Sequence, residues 1–100
     1  MRPARLTATE VDAWLARRPS WRLVEGHLVR EWHVASHREA AQLVLDQVAI
    51  ADRLDHHSVV TLTYLDLRFE LWTHDRGGLT ALDLAYADAL EDLLAERSNN

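Results

Sequence analysis

The sequence has no cysteine and no lysine. Without cysteine, disulfides, thiolate catalysis and cysteine-ligated zinc or iron–sulfur centres are excluded. Without lysine, all 11 basic side chains are arginine, and Schiff-base chemistry on a lysine is excluded. Positive charge is also scarce. The net charge of −5 is the opposite of a nucleic-acid binder's basic footprint, so no direct nucleic-acid partner is expected. No apolar run approaches the roughly 20 residues of a membrane span. The start, Met1-Arg2-Pro3-Ala4-Arg5-Leu6, has basic residues but no apolar run behind them. No signal peptide and no membrane partner are therefore expected, and the expected location is cytoplasmic. There is no glycine-rich phosphate loop and no G-x-S-x-G nucleophile elbow; Gly77-Gly78 is only a turn.

What is present describes one ordinary globular domain of 100 residues, 48% apolar and 27% charged. Only the first six residues and Ser98-Asn99-Asn100 look like loose ends. Thr7-Ala8-Thr9-Glu10 has the form of a capping box, and Val11, Trp14 and Leu15 follow at helical spacing, predicting a helix over 8–17 that Pro19 stops. Trp21 to Val24 and His27 to Val34, joined by Glu25-Gly26, predict a hairpin. Ser36 and Glu39 open the strongest helix, over 37–54, with Ala40, Val44, Val48 and Ala51 as its apolar stripe and Leu43, Ile50 and Leu54 beside it.

A β-branched run from Ser58 to Tyr64 predicts a strand. From Leu65 the alternation is clean: Leu65, Leu67, Phe69, Leu71 and Thr73 face one way, and Asp66, Arg68, Glu70, Trp72 and His74 the other. Thr80 caps a last helix whose apolar positions are Leu82, Leu84, Ala85, Ala89, Leu90, Leu93 and Leu94. The order α-β-β-α-β-β-α implies an α+β two-layer sandwich, a four-stranded antiparallel sheet with helices on one face.

Three of the six histidines stand where chemistry is possible. His56 and His57 sit at a helix exit, and His74 ends a strand beside a glycine turn. Imidazole titrates close to neutrality, so three together point to proton transfer or to a metal. Adjacent residues rarely both reach one ion, and no H-x-x-x-H or H-E-x-x-H pairing exists, so no metal site is expected. Asp52, four residues before His56, can share a helix face with it and orient its ring, or form an ordinary surface pair. Asp83 suits either the capping of the last helix with Thr80 or a place in a site. His27, His33 and His37 show no spacing that links them and are expected to be surface or strand residues.

The combination Asp52-x-x-x-His56-His57-Ser58, Tyr64, Thr73-His74, Gly78-Leu79-Thr80 and Asp83 resembles the pterin-4a-carbinolamine dehydratase family. So do Trp21-x-x-Val24-Glu25-Gly26, Arg30, Trp32 and Val48-Ala49-x-x-Ala51-Asp52. The likeness runs from about Leu6 to Leu94. It implies a hydro-lyase that dehydrates 4a-hydroxytetrahydrobiopterin to quinonoid dihydropterin in tetrahydropterin recycling, with no metal or organic cofactor. It implies His56 and His74 as the acid–base pair, His57 as the residue that binds the pterin ring, and Asp52 and Thr73 as substrate contacts or supports. Asp83 would support His74, and Trp21 would pack beside the pterin. Homodimers or homotetramers formed through the sheets are implied as well. A non-catalytic alternative on the same fold is an assembly or dimerisation-cofactor protein; keeping all three histidines favours the enzyme. Ser58 departs from the family's proline, whose ring would fix the backbone after the histidines. Asp52 replaces a longer glutamate, and Val60 stands where many relatives have tryptophan.

Overall fold

The computed structural model describes residues 3–98. Met1, Arg2, Asn99 and Asn100, read above as loose ends, lie outside the described residues. Arg5 and Leu6 are not loose: Arg5 bridges to Thr80, and the Leu6 N–H donates to the Leu79 carbonyl at 2.8 Å.

The elements follow the expected order: α1 (Ala8–Arg17), β1 (Arg22–Val24), β2 (His27–His33), α2 (His37–Leu54), β3 (Val59–Thr63), β4 (Asp66–Leu71), a 3₁₀ turn (His74–Arg76) and α3 (Ala81–Ser98). The strands form one antiparallel sheet in the order β1-β2-β4-β3. Local chemistry explains most boundaries. The Thr7–Glu10 capping box closes on both sides at the start of α1. Between β1 and β2, Glu25 and Gly26 both adopt left-handed backbone, at φ 51° and 81°. A two-residue hairpin loop of type I′ requires this.

The second hairpin turns at Tyr64-Leu65 without a glycine, with Tyr64 at φ 49° and Thr63 paired to Asp66. Its mark in the sequence is only the change from a β-branched run to clean alternation, with no glycine or proline between the two strands. The turn is held from outside: the His37 ring donates from Nδ1 to the Tyr64 carbonyl at 2.8 Å.

Strand register separates the two sheet faces. Leu28, Arg30 and Trp32 lie opposite Leu71, Phe69 and Leu67. This is the helix-covered face: Leu28, Leu67, Phe69 and Leu71 are buried, and Arg30 reaches Glu91 of α3 at 2.6 Å. On the other face Glu31 and His33 lie opposite Arg68 and Asp66. Burying each large apolar side chain is worth about 1.5–3 kcal/mol, so register is strongly specified.

The helices contribute Val11 and Trp14 from α1, Ala40, Leu43, Ile50 and Ala51 from α2, and Tyr86, Ala87, Leu90 and Leu94 from α3. Two expectations shift here. Val48 is exposed, and Gln47 is buried in its place. The α2 stripe is rotated because the Gln47 amide oxygen accepts the Tyr86 hydroxyl, so a polar pair is satisfied inside. On α3 the buried line runs through Tyr86, while Leu82, Leu84 and Leu93 sit at its margins and Ala85 is exposed.

Candidate active site

The site is built from the end of α2. Asp55 adopts left-handed backbone, at φ 48° and ψ 47°. Its N–H donates to the Asp52 carbonyl at 3.3 Å, and the His56 N–H to the Ala51 carbonyl at 3.0 Å. This pair of bonds is a Schellman motif, which satisfies the last carbonyls and reverses the chain. The two histidines that follow then part. His56 turns inward and is buried, while His57 points out.

The partner of His56 is Asp83, in the first turn of α3, with Nε2 2.5 Å from Oδ1. Asp83 is fully buried. Its Oδ2 accepts from the Thr73 hydroxyl at 2.8 Å and from the Thr80 backbone N–H at 2.9 Å. The Thr73 and Thr80 hydroxyls lie 2.9 Å apart. Since Thr73 gives its proton to the carboxylate, Thr80 donates to Thr73, and the Thr80 oxygen in turn accepts from the Leu82 N–H at 3.2 Å. Both Asp83 oxygens and both threonine hydroxyls are paired, and the N-terminal end of α3 adds a favourable dipole for the carboxylate. A carboxylate only accepts, so the network assigns a proton to His56 Nε2 and leaves Nδ1 as the basic atom of the neutral ring.

Asp83 therefore has both roles open to it in the sequence. It caps α3 and it belongs to the histidine cluster. It also ties together two turns distant in sequence, the one carrying His56-His57 and the one carrying Thr73-His74. The second turn is closed by the Thr73 N–H donating to the Gly78 carbonyl at 2.9 Å, with Gly77 left-handed at φ 64°.

His57 and His74 are exposed beside this knot. His57 Nε2 lies 3.7 Å from Asp52 Oδ1. The His74 ring packs against Trp72, centroids 4.3 Å apart. Trp72 is also stacked on His27, at 4.0 Å and 5° between planes.

Several predicted partners are redistributed. Asp52 sits by His57 instead of His56, because the left-handed Asp55 ends helical spacing before the histidines begin. Asp83 holds His56 instead of His74, because Thr73, buried between them, takes the second oxygen. Trp21 is in the core: its Nε1–H donates to Glu91 at 2.7 Å, and it meets Trp14 edge-on at 5.8 Å. Glu91 is two helical turns, about 12 Å, along α3 from Asp83.

Two groups escaped the sequence reading. His27 reaches Trp72 only through strand pairing: Leu28 lies opposite Leu71, which puts His27 opposite Trp72. Tyr86 could have been found from its spacing, three residues after Asp83 on the same helix face. Its hydroxyl donates to Gln47 Oε1, and it lies 2.9 Å from Ser58 Oγ. Burial pushes the phenol above its ordinary range, so it keeps its proton. With that proton given to Gln47, Ser58 must be the donor to Tyr86. The residue after the two histidines is thus held by a hydrogen bond where a proline ring would otherwise stiffen it. Among the described residues, no three His, Asp or Glu side chains are grouped to hold a metal ion.

The profile of a family described as pterin 4 alpha carbinolamine dehydratase matches residues 4–93. A Streptomyces coelicolor protein provisionally named pterin-4-alpha-carbinolamine dehydratase is 38% identical over 91 residues, 90% of each chain. A Metallosphaera sedula protein of the same provisional name is 36% identical, over 89% of this chain and 93% of its own. The crystal structure of a transcriptional coactivator/pterin dehydratase from Brucella melitensis superposes with a TM-score of 0.83. It is 26% identical, and the match covers 88% of this chain and 96% of that one.

Proposed function

The chain belongs to the pterin 4 alpha carbinolamine dehydratase family, and on that premise we propose that it dehydrates a 4a-hydroxytetrahydropterin by histidine acid–base catalysis. The observation that carries this reading is the double grip of Asp83, which brings the turn of His56 and His57 against the turn of Thr73 and His74.

Dehydration of a carbinolamine breaks one C–O bond. The hydroxyl takes up a proton and leaves as water, the ring nitrogen loses a proton, and a C=N bond forms. No electrons change hands. One acid and one base are sufficient, and each contributes about 10²–10⁴-fold. His56 presents Nδ1 as the base, its ring fixed by Asp83 in one tautomer. His74, exposed at the neighbouring turn, delivers the proton. His57 holds the pterin ring with Asp52 beside it, and Thr73 keeps the two turns together. The product, a quinonoid dihydropterin, would pass to a reductase in tetrahydropterin recycling. A cytoplasmic location is part of the same proposal; among the described residues no helix is long and apolar enough to cross a membrane.

We also propose that copies associate through the sheet. β3 is an edge strand with Val59 and Leu62 exposed, and such an edge is a template for pairing with another strand. Sedimentation should then give a dimer or tetramer.

The test is the stopped-flow rate of 4a-hydroxytetrahydropterin dehydration. Wild type should accelerate it, and His56→Ala, His57→Ala and His74→Ala should each be assayed, with a loss of at least about ten-fold in one or more. No acceleration over buffer sinks the enzymatic reading. It would favour the assembly or cofactor role suggested by the coactivator name of the Brucella protein.

A further inference from the structure

We propose that His27 is a positioning residue for His74, acting through the indole of Trp72; this rests on the reading of His74 as a proton-transfer group. His56 is oriented by hydrogen bonds, but among the described residues the His74 ring has no hydrogen-bonded partner. Its ring contact is Trp72, at 4.3 Å and 40° between planes. The orientation of His74 therefore depends on what holds the indole.

The indole is held by His27. The two rings lie parallel, 4.0 Å apart and 5° between planes. A flat contact of this kind confines a ring without a directional bond. His27 is itself fixed, because Nδ1 lies 2.6 Å from Glu70 Oε2 and must donate to it. Glu70 is held in turn by Arg68, Nη1 to Oε1, at 2.7 Å. The His27 hydrogen bond and the Arg68 guanidinium keep the Glu70 carboxyl below its usual range, so it stays an acceptor at neutral pH.

A connected row, Arg68–Glu70–His27–Trp72–His74, thus crosses the outer sheet face and ends on the exposed imidazole. The outer face also carries Glu31, His33 and Asp66, and Arg5, Asp12 and Glu25 line, with His27, a cavity of about 240 Å³. Arg5 also braces the far end of the His74 turn: a Cβ at Gly78 would come within 2.7 Å of its Nε.

The test combines kinetics with proton NMR of the histidine rings in the full chain, the His74 signals being identified by their loss in His74→Ala. In His27→Ala the His74 ring signals should move, its titration midpoint and the pH profile of dehydration should shift, and kcat should fall about ten-fold with KM little changed. His27→Phe keeps the flat ring and should restore most of kcat and the His74 signals. Glu70→Gln, which weakens the anchor without removing a ring, should show a smaller shift in the same direction. The proposal is overturned if His74 signals and titration are unchanged in both His27→Ala and Glu70→Gln. Absence of dehydration in wild type would instead remove the catalytic reading, and the NMR shifts would still decide whether His27 positions His74.

Discussion

His56 and His74 are the same side chain held in two different ways. His56 is 5% exposed and locked by a 2.5 Å bond to a carboxylate that is itself fully bonded. His74 is exposed and rests on an indole. The buried bond is directional and strengthened by a low local dielectric, so it sets tautomer as well as position. The ring contact sets a plane only and, among the described residues, leaves both nitrogens of His74 without a hydrogen bond. One imidazole is prepared in advance, and the other stays adaptable.

The sharpest way to break this contrast is at Asp83. Asp83→Ala strands a buried imidazole, the Thr73 hydroxyl and the Thr80 N–H. Urea unfolding should show a loss of about 3–5 kcal/mol, a large share of a small domain's stability. Asp83→Asn separates orientation from packing. Its amide would have to donate to His56, moving the ring proton to Nδ1 and removing the proposed base. The kcat should fall by about a hundred-fold or more with a much smaller stability change, and nitrogen NMR should report the tautomer.

Smaller effects should come from the loop beside the pair. Tyr86→Phe leaves Gln47 Oε1 and Ser58 without their partner, and Ser58→Ala removes one donor. Each should cost about 1 kcal/mol in thermal unfolding, Tyr86→Phe the more. A result of zero for Ser58→Ala would mean that the hydroxyl does not hold the turn. The mildest prediction concerns the outer row. Glu70 is shifted down by His27 first and Arg68 second, so the folded state takes up its proton less readily than the unfolded chain. That contribution is present above the ordinary glutamate range and fades as pH falls through and below it. Glu70→Gln should flatten the acid side of the stability curve, measured by urea unfolding from neutrality down to about pH 3.

Much of this was legible in the chain because it is local. Thr7 and Glu10, Ser36 and Glu39, and Glu25-Gly26 each set a boundary within a few residues of themselves. Leu65 to Thr73 alternates as a strand with one buried face must. The Tyr64-Leu65 boundary was legible only as the change from a β-branched run to clean alternation, and what holds the turn was not, since its support comes from His37, 27 residues away. The choice of Gln47 over Val48 for the interior depended on Tyr86, 39 residues on.

For the site, the sequence by itself determined which groups exist: three imidazoles at two turns, two carboxylates, and a serine in place of proline. Side-chain type and short-range backbone preference decide that much. Only the tertiary structure decided the pairings, Asp83 with His56, Asp52 with His57, and His27 through Trp72 toward His74. The left-handed Asp55 ended the helical spacing that would have joined Asp52 to His56. Cross-strand register brought His27 to Trp72. Neither is a property of spacing along the chain; both follow from how the helix ends and which strands lie side by side.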